Sequence, residues 1–176
     1  MKVLIFGATG MLGSALMRIL SENDNMEVFG TVRSTESKKL FSAEYHEKII
    51  SGCEATLLDD LVAVFNKINP DVVINCISLS KQLLKAADPL RIIAIYSMLP
   101  HQLSSLCKEF GARLIQMSTD GVFSGNGGGG NTEDDASDVQ DTYGTAKFLG
   151  EVHESHTMTI RTSIIGHELQ SRNGLV

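Results

Sequence analysis

The stretch Lys2-Val3-Leu4-Ile5-Phe6-Gly7-Ala8-Thr9-Gly10-Met11-Leu12-Gly13 constrains the fold more than any other part of this chain. An apolar run of strand length meets three glycines spaced three apart. Helical spacing follows at once, at Leu12, Ala15, Leu16, Ile19 and Leu20. Strand, tight turn and helix in that order suit a nucleotide pyrophosphate, because a helix N-terminus offers unpaired N–H groups and the positive end of its dipole. Gly7 suits the sharp turn, Gly10 lets backbone approach phosphate, and Gly13 lets the helix lie close on the sheet. The spacing is G-x-x-G-x-x-G, not the G-x-G-x-x-G of the dehydrogenase fingerprint. An ordinary glycine-rich βα turn is the plain alternative at this point.

Composition narrows the class. The chain has 176 residues, 43% of them apolar, enough for a sizeable core in one domain spanning 1–176. A formal charge of −6 without a Lys/Arg cluster excludes a nucleic-acid or polyanion surface. Cys53, Cys76 and Cys107 are widely spaced with no C-x-x-C pair, and read as reduced thiols, neither a disulfide frame nor a zinc site. Lys2 ahead of an apolar run imitates a signal peptide, but Gly7, Gly10, Gly13 and Arg18 break that pattern. No stretch is long and apolar enough to span a bilayer. These features point to a soluble cytoplasmic protein with no membrane partner.

Strand and helix patterns alternate along the chain. Strands are expected over 2–6, 26–32, 48–50, 71–76, 113–117 and 157–165. Helices are expected from Leu12 to Leu20, over 37–41, over 58–68 closed by Asn69-Pro70, over 89–110, and over 142–154. Pro100 falls inside the long helix and should kink or break it. The run 71–76 is almost continuously apolar, the mark of a parallel strand buried on both faces. Alternating β and α means an α/β fold with a doubly wound parallel sheet, a Rossmann fold, with the first strand central and the glycine turn at its carboxyl end.

Tyr143-Gly144-Thr145-Ala146-Lys147 is the second motif. Residues i and i+4 share a helix face, so phenol and ammonium can address one reactant. A free phenol with a pKa of about 10 is a poor acid or base at neutral pH. A neighbouring Lys⁺ is expected to lower that pKa. A half-buried tyrosine beside a solvated lysine is the plain alternative. The third motif, Met117-Ser118-Thr119-Asp120-Gly121-Val122-Phe123, follows the fifth strand directly. There Thr119 can hydrogen-bond a substrate oxygen or merely satisfy strand-end backbone. Three motifs in this order on these elements favour the catalytic reading.

On these residues the chain resembles the extended short-chain dehydrogenase/reductases, and within them the dTDP-4-dehydrorhamnose reductases and related nucleotide-sugar reductases. The likeness runs through Gly7 to Gly13, Ser118-Thr119-Asp120-Gly121-Val122-Phe123-Ser124-Gly125, Thr142 to Glu151, and Arg161-Thr162-Ser163. It implies a catalytic set of Thr119, Tyr143 and Lys147 that reduces the keto group of a nucleotide-activated sugar, as made for cell-surface polysaccharide. Tyr143 would donate the proton, Thr119 would bind the reacting oxygen, and Lys147 would hold the nicotinamide ribose. Implied cofactor contacts are Gly7, Thr9, Gly10, Met11 and Leu12 at the pyrophosphate, and Cys76, Ile77 and Ser78 after the fourth strand. Glu54 and Ala55 would face adenine. An acidic residue after the second strand would bind the ribose of NAD, and an Arg the 2′-phosphate of NADP. Thr31 holds the carboxylate position and Arg33 follows, so NADP(H) is favoured over NAD(H) unless Arg33 is a plain surface cation. A homodimer is compatible with the resemblance.

Two departures stand out. The family's Asn in the helix before the catalytic hydroxyl strand aligns with Tyr96, and in many members that Asn helps hold a proton-relay water. The chain also ends at Leu175-Val176, where relatives continue into a smaller lobe that grips the sugar nucleotide. A fragment lacking most of the C-terminal substrate lobe is therefore expected, binding cofactor but reducing sugar nucleotide poorly. The run 124–131 lacks the Lys-Ser/Thr of a phosphate loop and reads as a mobile loop. Glu133, Asp134, Asp135, Asp138 and Asp141 fit no calcium spacing, the histidines form no ligand pattern, and Asp141 or Thr142 suits a helix N-cap. Ser80 and Lys81 read as surface residues. Other functions consistent with the motifs are a nucleotide-sugar epimerase or dehydratase, and a non-catalytic NADP-binding regulatory subunit like the methionine adenosyltransferase beta subunit.

Overall fold

Six apolar runs form strands β1 (Lys2–Phe6), β2 (Glu27–Val32), β3 (Ile49–Ser51), β4 (Val72–Asn75), β5 (Arg113–Met117) and β6 (Thr157–Ile160) in the computed structural model. It describes residues 1–79, 88–167 and 169, so Ser80, Lys81, Leu175 and Val176 lie outside the described residues. The strands pair in the order β3-β2-β1-β4-β5-β6, every pair parallel. Helices α1 (Met11–Ser21), α2 (Thr35–Lys38), α3 (Leu58–Ile68), α4 (Pro89–Ile93), α5 (Leu99–Phe110) and α6 (Thr142–Leu149) lie between them. Chain progression reverses between β1 and β4, which leaves β1 central and a crevice outside the carboxyl ends of these two strands.

Strand alternation divides the core in two. Leu4 and Phe6 of β1 join Val73, Leu114 and the α3 and α5 residues Leu61, Phe65, Leu99 and Leu103. Val3 and Ile5 join Val28, Val32, Ile74 and Met17 of α1. Both sets are buried, which explains why β1 and β4 read as unbroken apolar runs. Phe65 anchors the first cluster, 6.3 Å from Phe6 and 5.3 Å from Phe110 between ring centroids. Its helix ends where expected: Asn69 takes a left-handed φ of 48°, and its N–H closes on the Phe65 carbonyl.

Several boundaries differ from expectation. The helix expected over 37–41 begins earlier because Ser34 caps it, its hydroxyl accepting from Ser37 N–H. A 3₁₀ turn, Ala43–Lys48, then leads into β3. Regular α-helix is interrupted ahead of Pro100, as expected. A π turn, Ala94–Met98, precedes it, and Pro100 lies in the first turn of α5, where a missing N–H costs nothing. α6 stops at Leu149 instead of 154, and β6 at Ile160 instead of 165. Asp141 is the N-cap of α6, accepting from Gly144 N–H at 2.9 Å.

The end of α6 is pressed against the π turn. A Cβ on Gly150 would lie 1.8 Å from the Tyr96 carbonyl oxygen and 3.1 Å from Pro100 Cγ. His101 Nε2 donates to the Leu149 carbonyl at 2.8 Å, and Ser97 Oγ to the Ala146 carbonyl at 3.0 Å. No helix among the described residues is long and apolar enough to cross a membrane. Gly150→Ala is expected to cost about 2 kcal/mol or more in urea unfolding, because backbone on both sides must move. Gly127→Ala, which meets nothing within 4 Å, is expected to be nearly neutral in the same measurement.

Candidate active and cofactor site

Gly7 has a φ of +80°, and a Cβ there would sit 3.0 Å from the Cys76 carbonyl carbon and the Ile77 nitrogen. Conformation and crowding both demand glycine. Gly10 N–H donates to the Gly7 carbonyl at 3.0 Å, and Gly10 opens α1 with no side-chain cap. A Cβ on Gly13 would meet the Gly7 carbonyl oxygen at 2.2 Å, so the first turn of α1 rests directly on the strand end. The first N–H groups of α1, those of Met11 and Leu12 included, have no carbonyl partner within their own helix. Thr9 is half-buried and Gly10 exposed beside them. This backbone cradle, which the glycines allow to form, fits a dinucleotide pyrophosphate.

The neighbouring strand ends frame the turn. Ala8 N–H donates to the Thr31 carbonyl at 3.2 Å, and Cys76 N–H to the Phe6 carbonyl at 3.0 Å. Thr31 is buried and Arg33, just past β2, is exposed. After β3, Ala55 is buried, and the Glu54 carboxylate accepts from the Thr56 hydroxyl at 3.0 Å. After β4, Ile77 N–H donates to Asn75 Oδ1 at 3.2 Å, and Asn75 Nδ2 to Gln116 Oε1 at 2.8 Å. Burial pushes the Cys76 thiol up to about 12, so it is a neutral wall and no nucleophile. Ser78, exposed, lies 3.1 Å from the Tyr96 hydroxyl.

Across the crevice, Thr119 heads a short 3₁₀ turn, its hydroxyl accepting from Gly121 N–H at 3.1 Å. Tyr143 and Lys147 stand one turn apart on α6, as their spacing requires. Lys147 is buried, and its ammonium donates to the Met117 carbonyl at 2.5 Å. Burial lowers its pKa to about 8, against the opposing pull of Glu151 and Cys76. The expected depression of the Tyr143 phenol does not occur. Burial, with Tyr96, Asp120 and Asp141 adding to it, raises its pKa against a hydrogen bond from Thr119.

A buried ion pair supports this helix and was not foreseen as one. Arg161 Nε and Nη2 donate to the two Glu151 oxygens, each at 2.9 Å, and Ser118 Oγ donates to Glu151 Oε1 at 2.7 Å. Burial raises the Glu151 pKa, but the bonds from Arg161 and Ser118 outweigh it and hold the carboxyl below its usual range. Arg161 also donates to the Glu133 carbonyl at 3.3 Å and lies 5.2 Å from the Phe123 ring centroid. Glu151 lies just past α6 and Arg161 just past β6, ten apart in sequence, a separation that no spacing rule marks. The acidic loop is used locally: Asp138 accepts from Ser124 N–H at 2.6 Å. Among the described residues no His/Cys/Asp/Glu group could hold a metal ion.

Removing one partner strands a buried charge. Arg161→Met is expected to cost about 3 kcal/mol in urea unfolding, and Arg161→Lys to restore only part, since Lys cannot bond bidentately. Lys147 sets a pH dependence. Its folded pKa of about 8 lies below the ordinary 10.5, so between these values the unfolded chain holds more protons and stability at this site rises with pH. The stability advantage of Lys147→Met over the native chain is therefore greatest near neutral pH. Across that window it should shrink by about 3 kcal/mol, read from urea melts at each pH.

The family described as RmlD substrate binding domain matches residues 1–173. A probable low-salt glycan biosynthesis reductase from Haloferax volcanii is 29% identical over 151 residues, covering 86% of this chain and 48% of that protein. A crystal structure of a dTDP-4-dehydrorhamnose reductase from Clostridium acetobutylicum is similar with a TM-score of 0.73 and 27% identity, over 93% of this chain and 53% of that one. A dTDP-4-dehydrorhamnose reductase from Bacillus anthracis, solved in complex with NADP, shares the fold with a TM-score of 0.71 and 23% identity, over 92% and 53%. This chain thus spans about half the length of these relatives. With its glycine turn, hydroxyl strand end and Tyr–Lys helix on one six-stranded parallel sheet, the chain belongs to the RmlD substrate binding domain family.

Proposed function

We propose that this chain binds NADPH at the glycine turn and serves an oxidoreductase that reduces the keto group of a nucleotide-activated sugar. The observation that carries this reading is the pairing of a half-buried phenol held in its neutral form, Tyr143, with Thr119 and the buried Lys147 beside a backbone cradle for pyrophosphate. The raised pKa keeps the phenol protonated at neutral pH, and an alkoxide forming at the sugar carbonyl is a stronger base than phenolate, so the proton passes from Tyr143 to it. An epimerase or dehydratase needs the same group as a base first, and burial works against that.

In this reading Gly7, Thr9, Gly10 and the N–H groups of Met11 and Leu12 hold the pyrophosphate, and Arg33 takes a 2′-phosphate. Glu54 and Ala55 border the adenine end, and Cys76, Ile77 and Ser78 the nicotinamide end. The bound cofactor supplies hydride. Tyr143 Oη gives its proton to the substrate oxygen while the Thr119 hydroxyl donates a hydrogen bond to the same atom. Lys147 orients the ribose and keeps positive charge near the developing oxyanion. Three free thiols fit a cytoplasmic setting, and the exposed Leu90, Ile93 and Leu149 on adjoining helices suit a homodimer.

Fluorescence titration tests the cofactor reading. NADPH is expected to bind about tenfold more tightly than NADH, and Arg33→Ala to erase most of that difference. Equal or tighter NADH binding would overturn it. NADPH consumption that depends on dTDP-4-dehydrorhamnose and falls about a hundredfold or more in Tyr143→Phe supports the chemistry. NADPH binding without such consumption favours the regulatory-subunit reading.

A further inference from the structure

The π turn carries one buried side chain that links the two sides of the crevice. Tyr96 is 2% exposed. A π turn inserts a residue into the helical repeat and so re-aims its side chains, and such turns recur at functional sites. A buried phenol must find hydrogen-bond partners, and Tyr96 finds them in the chain leaving β4. Leu79 N–H donates to its hydroxyl at 2.7 Å, and the Ser78 hydroxyl shares a 3.1 Å bond with it. The ring meets the other side. Its centroid is 5.3 Å from that of Tyr143 at an interplanar angle of 89°, and the Lys147 ammonium stands 5.3 Å from it.

We propose that Tyr96 is a positioning residue, its hydroxyl fixing the backbone after β4 and its ring face holding the Lys147 ammonium, so that the cofactor-side loop and the Tyr143–Lys147 pair are set by one side chain. The assignment rests on the function proposed above for the roles of the loop and of Lys147. The groups facing the ammonium are few. Met117 contributes a carbonyl from β5, and Cys76 a neutral thiol from the loop after β4. Glu151 lies just past the end of α6, with both its oxygens committed to Arg161 and one also to Ser118. Tyr143 and Tyr96 supply the aromatic surroundings. With the carboxylate so engaged, the electron-rich face of Tyr96 is the partner that helps keep the buried ammonium charged. Ile95 and Ala146 pack in the same cluster and hold the ring in place.

Two variants of the full chain separate hydroxyl from ring. Tyr96→Phe keeps the ring face and removes the bonds to Ser78 and Leu79. It is expected to weaken NADPH binding about fivefold by fluorescence titration while leaving the Lys147 titration in place. That titration is read by carbon NMR of lysine labelled at Cε, with the Lys147 resonance identified through Lys147→Arg. Ring-fluorinated phenylalanine at the same position keeps nearly the same volume and withdraws electron density from the face. The Lys147 pKa is then expected to fall stepwise with fluorine number, by about half a pH unit or more. A side chain that merely fills the core would leave both readouts unchanged. NADPH affinity unchanged in Tyr96→Phe overturns the hydroxyl half, and a Lys147 titration indifferent to fluorination overturns the ring half. Failure of the native chain to bind NADPH would overturn the function proposed above, and the fluorination series would still decide the ring half.

Discussion

The contact between Gly13 and the Gly7 carbonyl is the constraint from which the rest follows. Any side chain at position 13 would place its Cβ 2.2 Å from that oxygen, so α1 reaches the end of β1 only because none is present. Seated there, the helix covers one face of the central strand through Met17 and leaves its first N–H groups at the crevice mouth. Gly7 completes the arrangement by turning with a positive φ while pressed against the chain leaving β4. Core packing and the unpaired N–H groups at the crevice mouth are two results of one close approach.

A second close approach sets the position of Tyr143 and Lys147. Gly150 lets the end of α6 rest on the Tyr96 carbonyl, and Ser97 and His101 tie the same two segments by hydrogen bonds to Ala146 and Leu149. The Glu151–Arg161 pair then anchors the chain just past α6 to the end of β6, with Ser118 joining from the end of β5. Tyr143 and Lys147 are thus held on a short helix of eight residues by contacts at both ends.

The electrostatics of the crevice favour neutral tyrosine and weakly held charge on lysine. Both pKa shifts arise first from burial, which penalises phenolate and ammonium alike. The phenol thus keeps its proton, and the lysine is a cation whose charge depends on its immediate neighbours. Among those neighbours are the Met117 carbonyl and the Tyr96 ring, and the Tyr96 hydroxyl also holds the chain leaving β4.

The sequence by itself determined the strand–turn–helix opening, the alternation that yields a parallel sheet, and the register of Tyr143 with Lys147. These rest on local spacing, and local spacing is what a linear chain displays. α3 was legible to the residue because its apolar stripe and the Asn69-Pro70 stop agree. The tertiary structure alone decided where α6 ends, since Phe148, Leu149 and Val152 continue a helical rhythm that the Tyr96 carbonyl and the Arg161 guanidinium interrupt. It also decided that Pro100 opens a helix, because the preceding π turn shifts the hydrogen-bond frame. Protonation was likewise out of reach from spacing. An i, i+4 pair places Lys147 beside Tyr143, but burial, which spacing does not display, is what raises the pKa of the phenol and lowers that of the ammonium.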